Sequence, residues 1–199
     1  LISKTKSQHF DLLDCTACPL AENSKQVVPG RGHYNATYMV VAQAPGKVEE
    51  VEGLPLVGPS GKKLDTLLAR AGIRPNAVYY TNVVKCFPGL DAKNKEKKPG
   101  KRATDKCKTW LDQEIELVEP EVIIVLGAVA LNYFLPGEKV SEAHGQVLEY
   151  EGRTLVPMYH PAAGMGYANP ELMPIIEKDF DNLPIKLRGE GQGDIDYKH

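Results

Sequence analysis

Short apolar runs alternate along the chain with stretches in which apolar residues recur every three or four positions. Tyr38–Ala42 is such a run, stopped by Pro45-Gly46, and predicts a buried strand. Residues 61–71 place Leu64, Leu67, Leu68 and Ala71 at helical spacing, with Gly72 as the stop. A second strand is expected over 78–84. The helical pattern over 103–118 predicts burial of Cys107, Trp110, Leu111, Ile115 and Val118. Val122–Leu126 is apolar throughout, as expected of a strand covered on both faces. A short helix over 128–135, a fourth strand over 155–159 and a closing helix over 170–187 complete the series. The Gly-rich polar tail, 188–199, is expected to be disordered. Strands alternating with helices predict an α/β domain over 1–187, built on a four-stranded parallel sheet.

Composition narrows the class. Hydrophobic content of 42% is ordinary for a globule, and 24 basic residues nearly balance 26 acidic ones. Only a local basic patch would point to nucleic acid, and 93–108 supplies one with eight Lys and Arg residues. Such a run reads either as a DNA contact or as a solvated loop. No apolar run approaches the ~18 residues of a membrane span, and the first ten residues lack the apolar core of a signal peptide. The expectation is a cytoplasmic, monomeric protein with no membrane partner, in which thiols stay reduced.

The four cysteines then suggest metal or redox chemistry. Cys15 and Cys18 form a C-x-x-C pair ahead of every predicted strand, Cys86 follows the second strand, and Cys107 lies in the next helix. A close pair plus two distant thiolates can close a tetrahedral site, for an iron–sulfur cluster or for structural zinc. A redox C-x-x-C normally follows a strand, and unliganded core thiols are the bland alternative. Other polar signals gather at strand ends: Gln43, Ala44 and Gly46 after the first, Asn82 near the end of the second, His160-Pro161 after the fourth. Ligands of open α/β sheets sit outside the carboxyl ends of the strands, so these residues are expected to share one site.

Taken in order, Cys15-Thr-Ala-Cys18-Pro-Leu, Ala42-Gln-Ala-Pro-Gly46, Gly53-Leu-Pro-Leu-Val-Gly58, Thr81-Asn-Val-Val-Lys-Cys86, Cys107 and His160-Pro-Ala162 resemble the family 4 uracil-DNA glycosylases. The resemblance covers most of the chain from Cys15 onward. It implies a three-layer α/β/α fold, a [4Fe–4S] cluster rather than zinc, uracil-containing DNA as substrate, and hydrolysis of the N-glycosidic bond of deoxyuridine to leave an abasic site. A base buried in a duplex has to be flipped into such a pocket.

The resemblance also implies roles. Asn82 presents its amide to uracil, donating to O4 and accepting from N3–H. His160 donates to O2 as the base departs, with backbone donors around Gln43–Gly46. Glu49 orients water, steadies the cationic sugar, or closes the pocket against thymine; its bland alternative is a solvated acidic stretch with Glu50 and Glu52. Leu56 stands where the family usually has a Phe that stacks on uracil. Ser60 and Gly61 open a helix whose N-terminus suits a DNA phosphate; a plain N-cap is the alternative. Three departures stand out. Gln43 replaces a Glu, Ala44 occupies the place where some relatives carry a catalytic Asp, and the segment after His160-Pro161 lacks the usual aliphatic wedge and Arg. Met165 is the expected wedge, with Tyr167 second. The loosened pocket admits a second reading, excision of hypoxanthine or xanthine, and a third is a non-catalytic iron–sulfur module that binds DNA.

Overall fold

The structure is a computed structural model that describes residues 11–166 and 168–188. Tyr167, the first ten residues and all but the first residue of the expected tail lie outside it. The elements run α1 (Pro19–Asn23), β1 (Tyr38–Ala42), α2 (Lys47–Glu52), α3 (Pro59–Arg70), β2 (Val78–Asn82), α4 (Lys101–Val118), β3 (Val122–Leu126), α5 (Ala128–Phe134), α6 (Val140–Ala143), β4 (Leu148–Tyr150), β5 (Arg153–Met158) and α7 (Leu172–Leu187). A 3-10 turn, Pro161–Gly164, follows β5.

The sheet order is β2-β1-β3-β5-β4. The first four strands are parallel, and β4 pairs antiparallel with β5. The expected four-stranded sheet therefore gains a fifth, antiparallel edge strand. That strand is only three residues long and mostly half-exposed, so it carries no apolar run. Its real signal is the turn: Glu151 and Gly152 both take positive φ, 48° and 75°, as a two-residue hairpin requires.

Alternation along the strands sends neighbouring side chains to opposite faces. Met39, Val41, Ile123, Val125 and Leu155 share one apolar cluster with Leu111 and Ile115 of α4 and Leu131 and Phe134 of α5. Val40, Ala42, Ile124, Leu126, Val156 and Met158 share the other with Leu64, Leu67 and Leu68 of α3 and Ile176 and Phe180 of α7. The sheet thus lies between two helical layers. From β1 the chain passes outward to β2, then returns across β1 to β3, which makes the carboxyl ends of β1 and β3 a topological switch point.

Two details shape the mouth of that crevice. Gly58 is the N-cap of α3 and Pro59 its first residue, so Ser60 is not the cap. Leu56 takes a left-handed conformation, φ 54°, which is strained for a branched side chain. A Cβ on Gly61 would collide with the backbone carbonyl of Leu56. Gly61 is therefore needed for packing, independently of any phosphate. Gly61→Ala is expected to destabilise the fold by roughly 1–3 kcal/mol, visible as a Tm lowered by about 2–4 °C per kcal/mol; an unchanged melting curve would contradict this packing.

Candidate active site and cysteine cluster

Parallel pairing sets Ala42 beside Asn82 as the last rung between β1 and β2. Val83 N–H then donates to Ala42 O at 2.8 Å and Val84 N–H to Gln43 O at 3.0 Å, so the two strand exits stay fastened together. Asn82 is 2% exposed. Both its Oδ1 and its Nδ2 are buried without a hydrogen-bond partner among the described residues. Leaving one buried amide group unmatched costs about 1–3 kcal/mol in proteins, and native interiors rarely tolerate it without a reason.

The acidic stretch is solvated only at Glu52. Glu49 and Glu50 are both buried. Glu49 Oε1 accepts from the N–H groups of Val57 (3.0 Å) and Gly58 (2.7 Å); Glu50 Oε1 accepts from Lys25 N–H at 2.9 Å. Glu49 therefore ties α2 to the segment that carries Leu56. Arg31 holds the same segment, donating from Nε to Pro55 O (2.9 Å) and from its guanidinium to Leu56 O (3.3 Å), and it stacks on the Tyr80 ring. The Leu56 side chain belongs to the core cluster that includes Ala42, Leu64 and Tyr80. Gly46 caps α2, and a Cβ there would come within 2.7 Å of both Glu49 Oε2 and Glu96 Oε1.

Glu96 escaped the sequence reading. It belongs to the lysine-rich loop, which folds back through a Leu90–Glu96 bridge and through Asp91 Oδ1, acceptor for Lys93 and Lys95 N–H. Glu96 Oε1 accepts from Lys47 N–H at 3.0 Å and fastens this loop beside the Gln43–Gly46 turn. Gly127 was missed as well, although a Gly after a uniformly apolar strand is a legible signal. It has φ 84°, donates to Met158 O at 2.9 Å, and has His160 Cβ 3.5 Å from where its own Cβ would stand.

His160 is half-buried and caps the 3-10 turn, its Nδ1 accepting from Ala162 N–H at 3.2 Å. That bond assigns the ring proton to Nε2. Burial pulls its pKa down to about 4, outweighing the opposite pull of Glu49. The imidazole is thus neutral and a donor through Nε2. Gln43, Ala44 and Ser60 are half-buried, as is Met165, which follows the turn in extended conformation. Gly164 lies against the Met173 backbone, fastening that turn to α7.

None of the four cysteines is in a disulfide; Cys18, Cys86 and Cys107 are buried and Cys15 is half-buried. The Cys86 thiol is pushed up to about 12 by burial and then by the nearby sulfurs of Cys107, Cys18 and Cys15. Trp110 Nε1–H donates to Cys15 Sγ at 3.4 Å, and the Lys85 backbone N–H donates to Cys107. Among the described residues no three His, Cys, Asp or Glu side chains close on a single-ion site.

The carboxyl edge of this parallel-centred sheet carries an unpaired amide at the end of β2 and a neutral histidine after β5, with the exits of β1 and β3 between them, and the sequence profile of the uracil DNA glycosylase superfamily matches residues 29–180. Within it the chain is 36% identical over 180 residues to a type-4 uracil-DNA glycosylase of Thermotoga maritima, covering 89% of this chain and 91% of the relative. It is 34% identical over 182 residues to the type-4 enzyme of Archaeoglobus fulgidus (87% and 88%) and 32% identical over 185 to that of Sulfurisphaera tokodaii (87% and 80%). The chain belongs to the type-4 uracil-DNA glycosylase family.

The lowered pKa of His160 sets a pH signature. On acidification the unfolded chain takes up this proton near 6.5, whereas the folded ring resists until about 4. His160 therefore adds stability that is complete above pH 6.5 and is lost as pH falls through that window. Nitrogen-15 NMR of the histidine rings should find His160 as the neutral Nε2–H tautomer at pH 5.5; an imidazolium at that pH would refute the assignment.

Proposed function

We infer that this protein is a uracil-DNA glycosylase, a DNA-repair hydrolase that cleaves the N-glycosidic bond of deoxyuridine in DNA and leaves an abasic site. The observation that carries this reading is the buried amide of Asn82 with neither of its polar atoms paired, in a chain of this family. Uracil supplies what the amide lacks: O4 for the Nδ2–H donor and N3–H for Oδ1. Cytosine presents the opposite pattern at that edge and leaves the amide mismatched. A flipped deoxyuridine repays the cost of the orphaned groups only when it carries the right base.

The reaction separates a cationic sugar from a uracil anion. His160, neutral and with its proton on Nε2, donates to uracil O2 as charge builds there. Gln43, Ala44 and Gly46 line the turn beside Asn82 and supply backbone N–H groups to the same oxygen. Glu49 has Oε1 committed to Val57 and Gly58, which leaves Oε2 to face the sugar cation or its attacking water. Leu56 gives the base an apolar floor. Ser60 and Gly61 at the start of α3 hold a phosphate of the strand, and Met165 fills the gap left by the flipped base. The lysines of 93–98, fastened beside the pocket turn through Glu96, extend the phosphate contact.

Cys15, Cys18, Cys86 and Cys107 hold a [4Fe–4S] cluster. The donor set fits: four free cysteines, of which Cys15, Cys18 and Cys107 lie close enough to Cys86 to push its thiol up, with N–H donors from Trp110 and Lys85 aimed at the sulfurs. When bound, the cluster supplies a covalent tie between the N-terminal segment, the exit of β2 and α4, and it takes no part in the hydrolysis.

Two experiments test this function. Oligonucleotides with a single uracil, incubated with the protein and then treated with alkali, should be cut at that position. Asn82→Ala should slow the excision by at least ~10-fold, since a bidentate base contact is worth about 1–3 kcal/mol, and Asn82→Asp should also slow it, having no donor for O4. Full excision by both variants would remove Asn82 from the pocket. For the cluster, anaerobically purified protein should carry roughly four irons per chain, and Cys86→Ala should lose iron and thermal stability together. Stoichiometric zinc in protein made with iron available would favour a structural zinc site instead.

A further inference from the structure

Lys85 has no part in the reaction described above, yet it is 1% exposed. Its Nζ donates to Asn82 O at 2.8 Å, to Thr81 Oγ1 at 2.5 Å and to Glu114 Oε2 at 2.5 Å. Thr81 in turn donates its hydroxyl to Glu114 Oε2 at 2.5 Å. The other carboxylate oxygen, Glu114 Oε1, accepts from Gly30 N–H at 3.0 Å. The pair is thus anchored at three points: the last two residues of β2, the chain ahead of β1, and α4. A buried ion pair is weak evidence of a stability role, because apolar replacements of similar volume are often neutral or better. The groups this one holds therefore deserve an account of their own.

Those groups are the backbone of Asn82 and the side chain of Thr81 next to it. The Asn82 side chain cannot be oriented by its own hydrogen bonds, since both polar atoms lack partners. Its direction has to come from the backbone that carries it. On the β1 side the ladder fixes that backbone. The peptide plane after Asn82 is held at both its polar atoms: Val83 N–H donates to Ala42 O on the β1 side, and the Asn82 carbonyl accepts from the Lys85 ammonium on the other. A loosened plane would let the amide swing, and the free energy of ordering it would then be drawn from uracil binding.

We propose that Lys85, held by Glu114 and Thr81, is a positioning residue that sets the Asn82 amide in its base-reading orientation before uracil arrives. This rests on the reading that Asn82 binds the base. It does not act on the substrate directly, so its effect travels only through Asn82.

The test compares iron-loaded protein at equal iron per chain in six forms: wild type, Lys85→Met, the neutral double variant Lys85→Met/Glu114→Gln, and each of these three with Asn82→Ala. Melting temperature, affinity for free uracil and single-turnover excision are measured. Lys85→Met alone strands a buried carboxylate and should lower all three. The double variant carries no buried charge and should recover most of the melting temperature, while uracil affinity and rate stay down by about tenfold. In the Asn82→Ala background the Lys85 changes should cost nothing further in rate or uracil affinity, because the amide they orient is gone. Recovery of wild-type uracil affinity and rate in the double variant would overturn the proposal and leave the pair a structural one. Equal losses with and without Asn82 would overturn it too. If the double variant does not fold, Thr81→Val decides: it keeps both charges and the side-chain shape, and should weaken uracil binding and rate several-fold with little change in melting temperature. Unaltered binding and rate in that variant would end the proposal. Should Asn82→Ala itself excise uracil normally, the base-reading role falls and this inference with it; a failure confined to the Lys85 arm leaves that role standing.

Discussion

Between Ala42 and Asn82 the ladder of β1 and β2 ends, and everything at the carboxyl edge of the sheet is arranged around keeping that last rung in place. Two further bonds, from Val83 to Ala42 and from Val84 to Gln43, carry the pairing one step past the strands before the chains diverge. The turn bearing Gln43, Ala44 and Gly46 and the strand end bearing Asn82 are consequently one rigid body. This rigidity is what makes an unpaired buried amide tolerable. A loose Asn would turn toward water or a neighbouring carbonyl; a fixed one has to wait for a ligand with the complementary edge.

The same edge sorts charge by position. Glu49 is pinned by Val57 and Gly58 N–H at the start of α3, whose N-terminus favours a negative neighbour. His160 is kept neutral by burial even with Glu49 in electrostatic reach. A protonated imidazole would pair with that carboxylate and neutralise it. In the proposed reaction a neutral one leaves Glu49 free to face a cationic sugar while still offering a donor to an anionic base. The two halves of a breaking glycosidic bond carry opposite charges, and on the proposed function each would meet a group of the opposite tendency.

Much of this was legible in the sequence. The apolar runs at Tyr38–Ala42 and Val122–Leu126 coincide with β1 and β3, because strands buried on both faces admit nothing else. The helices from 61, 103 and 128 were recovered with ends shifted by one or two residues, as caps such as Gly58 and Gly100 lie outside the periodic stretch. What escaped had no periodicity to show: the five-residue α1, the three-residue β4, the one-turn α6, and α2, whose Lys-Val-Glu-Glu-Val-Glu reads as solvated until Val57 and Gly58 are folded onto it. Asn82 and His160 stood out by their places near strand ends and through the family resemblance, and the cysteines by their number and spacing. Glu96, Gly127 and Lys85 did not, since each acquires its meaning from a partner distant in sequence: Lys47, His160 and Glu114.

Lys85 also explains why the cysteine cluster and the pocket occupy the same end of the molecule. Its backbone N–H serves Cys107, its neighbour is Cys86, and its ammonium serves Asn82 and Thr81. Residues 81–86 form a single short segment with the unpaired amide near one end and a thiol at the other. The exit of β2 carries no long helix of its own to pack it down; α4 begins only at Lys101, after the lysine-rich loop. A segment so placed must be held from both sides. Glu114 and Cys107 lie two turns apart along α4 and both face inward, so one helix face grips the segment at its charged middle and at its sulfur end. A [4Fe–4S] cluster on the four cysteines would tie α4 and the N-terminal Cys15–Cys18 pair to Cys86, and so to the same short stretch that carries Asn82. On the proposed function, a cluster there would support base recognition mechanically, with no electron or proton passing between them.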